Sequence, residues 1–369
     1  MTWEHYAAVP AGDGASLIAA DGRLPSVAIE SWRLPDVRNA LAPMIGRPRY
    51  LRLAAQAQVG ADDWVRLHVF DAADRGERLP FADADPERLA PPSLRPALAG
   101  WLAEQQGAPV PPERPAWSRP GWHAEAEAWV GCELHTVRIW PLSAVLRGEL
   151  GGETVYLKAV FTVFHHEPAV TQALAHEHPG LVPDVLRIDR ERGWLLMREL
   201  TGIPAAESEL HNESLRALET IQDAWSGRTD ELLRLGAPDR RLSVLEASIA
   251  ELVETVAPEL AYAVPRLEHA CRTLDGSETI VHGDFHAENV LVDASGRAVI
   301  FDWSDACLGD PSFDRYLFFD RFDESEAAPA CLHQAVSYVG ILAGLAPDDR
   351  WWFADEPRRW LDRAVELVR

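Results

Sequence analysis

The chain almost lacks lysine. Of its 35 basic residues one is lysine, Lys158, and the other 34 are arginine. A sequence so biased toward arginine, as a GC-rich gene would give, keeps a lysine where a compact ammonium does what a planar guanidinium cannot. Lys158 lies in the strand-like run Thr-Val-Tyr-Leu-Lys-Ala-Val, which speaks against a stray surface lysine. Cysteine is scarce too. Cys132, Cys271, Cys307 and Cys331 are widely spaced and form no Cys-x-x-Cys pair, so neither a disulfide frame nor a zinc site is expected, and the thiols read as reduced and cytoplasmic. No apolar run is long enough to cross a bilayer. The start, Met-Thr-Trp-Glu-His-Tyr, lacks the basic and apolar regions of a signal peptide. Positive charge is in deficit, with a formal net charge of −23. That field repels polyanions and argues against nucleic acid and membrane partners. A cationic small molecule would suit it, although an acidic surface also serves solubility alone.

What is present is the composition of an ordinary globular protein, 47% apolar and 25% charged. The length allows two or three domains. Residues 105–122 contain Pro109, Pro111, Pro112, Pro115 and Pro120, a stiff, extended stretch that places a linker at 109–121. Upstream, residues 25–33, 49–58 and 63–72 look strand-like and 93–106 helical, giving an accessory α+β domain over 1–108. It carries no phosphate loop, metal cluster or nucleophile motif. Downstream, a helix at 122–130 precedes strands at 137–140, 145–150 and 154–160. A helix at 165–176 and strands at 185–189 and 194–199 follow, the order of a small lobe over 122–197. The remainder, 198–369, is largely helical.

The chemistry concentrates in His282-Gly-Asp-Phe-His-Ala-Glu-Asn289, with Phe301-Asp-Trp303 beyond it. Two apolar runs flanking a turn with Gly296 predict a β-hairpin between them. A register with Val292 opposite Val299 sets Asn289 opposite Asp302. An amide oxygen and a carboxylate there suit Mg²⁺, which leaves the rest of its shell to water and phosphate. Asp284, on the loop entering the hairpin, is placed to accept a proton from an attacking hydroxyl. His282 and His286 read as loop-fixing side chains, with direct substrate contact as the alternative. His165, His166, His176 and His178 read as surface polar residues. Trp303, Asp305 and Asp310 are candidates for lining an acceptor pocket, although an aspartate in Gly-Asp-Pro more often caps the next helix or turn, so Asp310 is given no catalytic role.

These motifs resemble the phosphotransferase family that includes aminoglycoside, choline and other small-molecule kinases, over about residues 122–369. The resemblance implies a protein-kinase-like bilobal α+β fold, with a small antiparallel-sheet lobe and a mainly helical lobe. It implies Asp284 as catalytic base, Asn289 and Asp302 as Mg²⁺ ligands, and Lys158 on the phosphates of ATP or GTP. Glu167 would pair with Lys158, with Glu177 as its competitor. Arg198 and Leu200, at the lobe junction, would hold adenine through a carbonyl and an N–H. The first hairpin, Trp140-Pro-Leu-Ser-Ala-Val145, departs from the family's glycine-rich loop. Ser143 either contributes to phosphate binding there or is an ordinary turn serine. The expected partners are a nucleotide and a small acceptor. Candidate acceptors are an aminoglycoside, a sugar or an amino alcohol, and a non-catalytic nucleotide-binding module is the competing class. The accessory domain could cover the cleft, order a dimer or tether a partner.

Overall fold

The computed structural model describes residues 2–207, 211–274, 276–319 and 327–369. The chain falls into two compact units, residues 1–148 with 345–351, and residues 149–344 with 352–369. No helix among the described residues is long and apolar enough to cross a membrane.

The first unit is built on a four-stranded mixed sheet in the order Ser26–Ile29, Thr2–Ala8, Asp63–Phe70, Tyr50–Gln58. Thr2–Ala8 runs parallel to Asp63–Phe70, and the other pairings are antiparallel. Its core gathers Leu17, Leu51, Leu67, Leu98 and Trp101. The first strand is hard to see in the sequence because an inward position is histidine. His5 is fully buried. Its Nε2 donates to the Ser31 carbonyl at 3.0 Å, which leaves Nδ1 to accept from His68 Nε2 at 2.9 Å. Two polar rings thus bond each other where apolar alternation would be read. The helix Leu34–Ile45 is a further element beyond those expected, with Val37, Leu41 and Ile45 turned inward. The proline-rich stretch contains one 3-10 turn, Ala116–Ser118. The helix Trp122–Val130 and the hairpin of Leu134–Ile139 with Ser143–Leu150 follow.

In the second unit, Glu153–Val160, Trp194–Arg198 and Val185–Asp189 form successive antiparallel neighbours. On Glu153–Val160, Val155, Leu157 and Ala159 share one buried face, which puts Lys158 on the other. The helix Glu167–Glu177 buries Glu167, Val170, Thr171 and Leu174, the i, i+3, i+4, i+7 stripe of an amphipathic helix. A glutamate on that stripe needs an ionic partner. Helices His211–Trp225, Leu242–Val256, Val264–Thr273, Ala328–Gly344 and Glu356–Leu367 make up most of the rest. Ile221, Trp225, Phe285, Ile300 and Trp303 pack with Val170 and Leu174 in one core.

The hairpin over 290–300 differs in register from the expectation. Val292 lies opposite Ala298 and Val290 opposite Ile300. Asp293 pairs with Arg297 through a backbone bond of 3.0 Å, closing a three-residue loop whose last residue, Gly296, has φ +83°. That three-residue loop, ending in a left-handed glycine, sets a pairing one residue away from the expected one. Asn289 therefore faces Phe301, whose N–H donates to the Asn289 carbonyl at 3.0 Å.

Candidate active site

Lys158 is buried, and three partners surround its ammonium. Its Nζ donates to Glu167 Oε1 at 2.6 Å, Asp302 Oδ1 at 2.6 Å and Ser304 Oγ at 2.8 Å. Ser304 in turn donates, its oxygen lying 2.5 Å from Asp302 Oδ1 and 3.2 Å from Glu167 Oε2. Burial alone would lower the lysine pKa, but Asp302 and Glu167 outweigh it and raise it to about 12. The same contacts hold Asp302 well below the usual carboxylate range against its own desolvation, whereas burial keeps Glu167 raised despite Lys158. Glu177, the competing partner, lies with Arg228 instead, at 2.6 and 2.8 Å.

Asp302 reaches this position through backbone strain. Its φ and ψ are 65° and 62°, left-handed values that only Asp21 shares, by φ, among described non-glycine residues. Such a conformation costs about 1–2 kcal/mol in an L-residue. It brings the carboxylate to Lys158 although Phe301, not Asp302, occupies the position opposite Asn289. Trp303 then points inward. It is fully buried and donates its indole N–H to Ile300 O at 3.1 Å, so it lines no acceptor pocket. Asp310 caps as expected, accepting from Ser312 N at 2.9 Å.

The loop bearing Asp284 is held from several sides. Asp314, fully buried, accepts from His282 N at 2.8 Å, Gly283 N at 2.9 Å and Gln222 Nε2 at 2.9 Å. Gln334 Nε2 donates to Gly283 O at 2.5 Å. Gly283 has φ +82°, and a Cβ there would sit 2.3 Å from the Asp305 carbonyl oxygen. Glycine thus lets the loop lie against the segment after Asp302. His282 is a strut. Its Nε2–H donates to Phe301 O at 3.0 Å and its Nδ1 accepts from Asp284 N at 3.4 Å, while burial lowers its pKa. Asp284 is half-exposed. Asn289 Nδ2 donates to its Oδ2 at 3.2 Å and to its carbonyl at 2.9 Å. His286 Nε2 lies 3.4 Å from the same Oδ2, and that contact raises the His286 pKa.

Other residues fall elsewhere. Ser143 belongs to the first unit, where its Oγ accepts from the Trp140 indole at 2.7 Å. Arg198 ends its strand, with N–H to Asp184 O at 3.0 Å and its side chain on Asp184 and Glu153. Glu199 N donates to Thr154 O at 3.1 Å, so the ladder extends to the residue before Leu200. His166 is buried, against the surface reading, with a pKa lowered to about 4 by desolvation despite bonds to the Ala306 and Ser304 backbone. Ser304, Asp314, Gln222 and Gln334 are site residues that sequence reasoning missed. Ser304 had a signal, standing two residues after a metal-type aspartate.

Residues 154–347 match the phosphotransferase enzyme family, and the chain belongs to it. Its described residues combine a sheet-rich part with a helical part. An uncharacterised protein of Bacillus subtilis (strain 168), YcbJ, is 37% identical over 54 residues, which are 14% of this chain. The match spans 18% of that relative's length. Among solved structures, a thermostable mutant of the aminoglycoside phosphotransferase APH(4)-Ia, in ternary complex with ADP and hygromycin B, is similar at 17% identity and a TM-score of 0.46. It covers 67% of this chain and 97% of that one. A Plasmodium vivax ethanolamine kinase is similar at 10% identity and a TM-score of 0.48, covering 63% of this chain and 82% of the other.

Proposed function

We propose that this chain is a Mg²⁺-dependent kinase transferring the γ-phosphoryl group of ATP or GTP to a hydroxyl of a small acceptor. One observation carries the reading. The lone lysine is clamped by Glu167 and Asp302, and Asp302 follows directly on the residue paired with Asn289. In this reading residues 122–197 hold the nucleotide and 198–369 carry the catalytic loop and acceptor site. Residues 1–108 form an accessory domain joined through 109–121. Arg198 and Leu200 offer adenine a carbonyl and an N–H.

The donor set suits Mg²⁺. Asp302 Oδ1 serves Lys158 and Ser304, which leaves Oδ2 for a cation. The Asn289 amide nitrogen is turned to Asp284, so its carbonyl oxygen is available. Two hard-oxygen ligands completed by water and phosphate are what this ion accepts. Bound there, it would neutralise charge on the β- and γ-phosphates. The protein's part is positioning and charge placement. Lys158 steadies the α- and β-phosphates, and Glu167 fixes the lysine. Asp284 orients the acceptor hydroxyl and takes its proton as that oxygen bonds to the γ-phosphorus. The bond to the β-phosphate oxygen breaks, and the nucleoside diphosphate leaves. The net charge of −23 favours a cationic acceptor such as an aminoglycoside or an amino alcohol. The reading makes the enzyme cytoplasmic, without nucleic-acid or membrane partners.

The test is nucleoside-diphosphate release with ATP and with GTP across aminoglycosides, other antibiotics, neutral and amino sugars and amino alcohols. One acceptor class should stimulate release. Asp284→Ala should lower turnover about 10²–10⁴-fold while nucleotide affinity stays within a few-fold. Asp302→Asn should move the Mg²⁺ dependence to higher concentration. Nucleotide binding with no turnover on any class would leave a non-catalytic nucleotide-binding module.

A further inference from the structure

The first unit holds a cavity of about 300 Å³ along the helix Leu34–Ile45, lined in part by Arg38, Asn39, Arg47 and His135. That volume is at the lower end of small-ligand sites. Pro35, Ile45, Pro48 and Phe70 supply apolar wall, and Ile45, Pro48 and Phe70 are buried. Arg38 is half-buried and Arg47 exposed. Among the described residues neither guanidinium has a hydrogen bond or an ion pair. Burial and then the like charge of Arg47 are what act on Arg38. Asp36, on the same helix, is engaged by Ser31 Oγ at 2.5 Å. No described acidic residue lines the hollow, so within it the protein leaves the positive charge of Arg38 and Arg47 without a counter-charge. Withdrawing a guanidinium from water beside a like charge is unfavourable until an anion joins it.

We infer that this cavity binds a small anion bearing a phosphate or carboxylate on a compact apolar body. Arg38 and Arg47 take the charged group in the forked geometry that suits both oxyanions, with Asn39 and His135 as further polar contacts. The apolar wall receives the body. None of Lys158, Glu167, Asp284, Asn289 or Asp302 lines the cavity, and the inference does not depend on the roles given to them.

Calorimetric titration of the full chain tests this with four probes: phenyl phosphate, benzoate, inorganic phosphate and uncharged benzyl alcohol. Each is run with and without Mg²⁺ and ADP. Phenyl phosphate or benzoate should bind, and the tighter of the two names the oxyanion. Benzyl alcohol should bind at least tenfold more weakly. In Arg38→Gln/Arg47→Gln the charged probe should lose at least tenfold in affinity, while Arg88→Gln, outside the cavity, binds as the parent does. Circular dichroism and melting temperature establish that the double variant is folded. If that variant fails to fold, Arg47→Gln alone, at an exposed position, must weaken the probe. The inference is overturned if no charged probe binds, if the folded variant binds unchanged, or if ADP displaces the probe.

Discussion

Lys158 shows how much one side chain can be asked to do. Its ammonium meets two carboxylates at 2.6 Å and a hydroxyl at 2.8 Å in a buried site. A guanidinium has the same charge but spreads it over a plane with five donors. It cannot converge on Glu167 Oε1, Asp302 Oδ1 and Ser304 Oγ from one point. Lys158→Arg should therefore lower kcat/KM by at least about tenfold, some 1.4 kcal/mol of transition-state stabilisation, with the main loss in nucleotide KM. Steady-state kinetics over a range of ATP concentrations decide it, and near-normal values would make the lone lysine an accident of composition. Ser304 is a positioning residue of the same cluster, since it touches all three charged groups. Ser304→Ala should raise the nucleotide KM modestly, and Ser304→Thr, which restores the hydroxyl, should recover much of it.

At the scale of elements, the loop bearing Asp284 is a short segment held by residues far away in the chain. Asp314, in the first turn of Ser312–Phe319, takes both N–H groups of the His282–Gly283 corner. Asp314→Ala leaves those donors and the Gln222 amide buried without an acceptor. At about 1–3 kcal/mol for each unsatisfied group, denaturant unfolding should show a loss of at least about 3 kcal/mol. Gly283→Ala should be comparably damaging, because a Cβ would meet the Asp305 carbonyl at 2.3 Å in a left-handed conformation. Little of this bracing was legible. The loop residues and Asp302 announce themselves by chemical type at close spacing, and Lys158 by being the one lysine of the chain. Asp314 does not, since nothing local marks which acid of an acidic chain is buried. The hairpin register was missed by one residue because Gly296 closes a three-residue loop, and periodicity does not distinguish that from a two-residue one. Glu167 was legible as the lysine's partner only through the resemblance, although its place on an apolar stripe carries the physical reason.

Over the whole molecule, buried neutral histidines make stability depend on acidity. Burial lowers the pKa of His5 and His166 to about 4 and of His333 to about 3, from an ordinary 6.5. Between those values and 6.5 the unfolded chain binds protons that the folded chain refuses. Stability therefore falls as pH drops through that window. Asp314, which burial raises to about 7, acts in the opposite direction, so the slope of the parent protein mixes both. His333→Phe separates them. His333 stacks on Phe313 with ring centroids 5.4 Å apart, and neither ring nitrogen has a partner among the described residues. A phenyl ring fits that environment and takes no proton. Urea unfolding at several pH values from 4 to 6.5 should show a shallower loss in the variant, by up to about 1.4 kcal/mol per pH unit.

The single lysine has a consequence outside catalysis. A lysine-specific endoprotease has one scissile bond in the entire chain, and it lies within the strand Glu153–Val160, whose side chain at the cleavage position is buried among its carboxylate partners. Cleavage requires that strand to detach, so the appearance of two fragments counts opening events at one known location. When reclosing outruns cutting, the rate reports the equilibrium population of the open form. The native chain thus carries its own single-site reporter of local unfolding, with no label added.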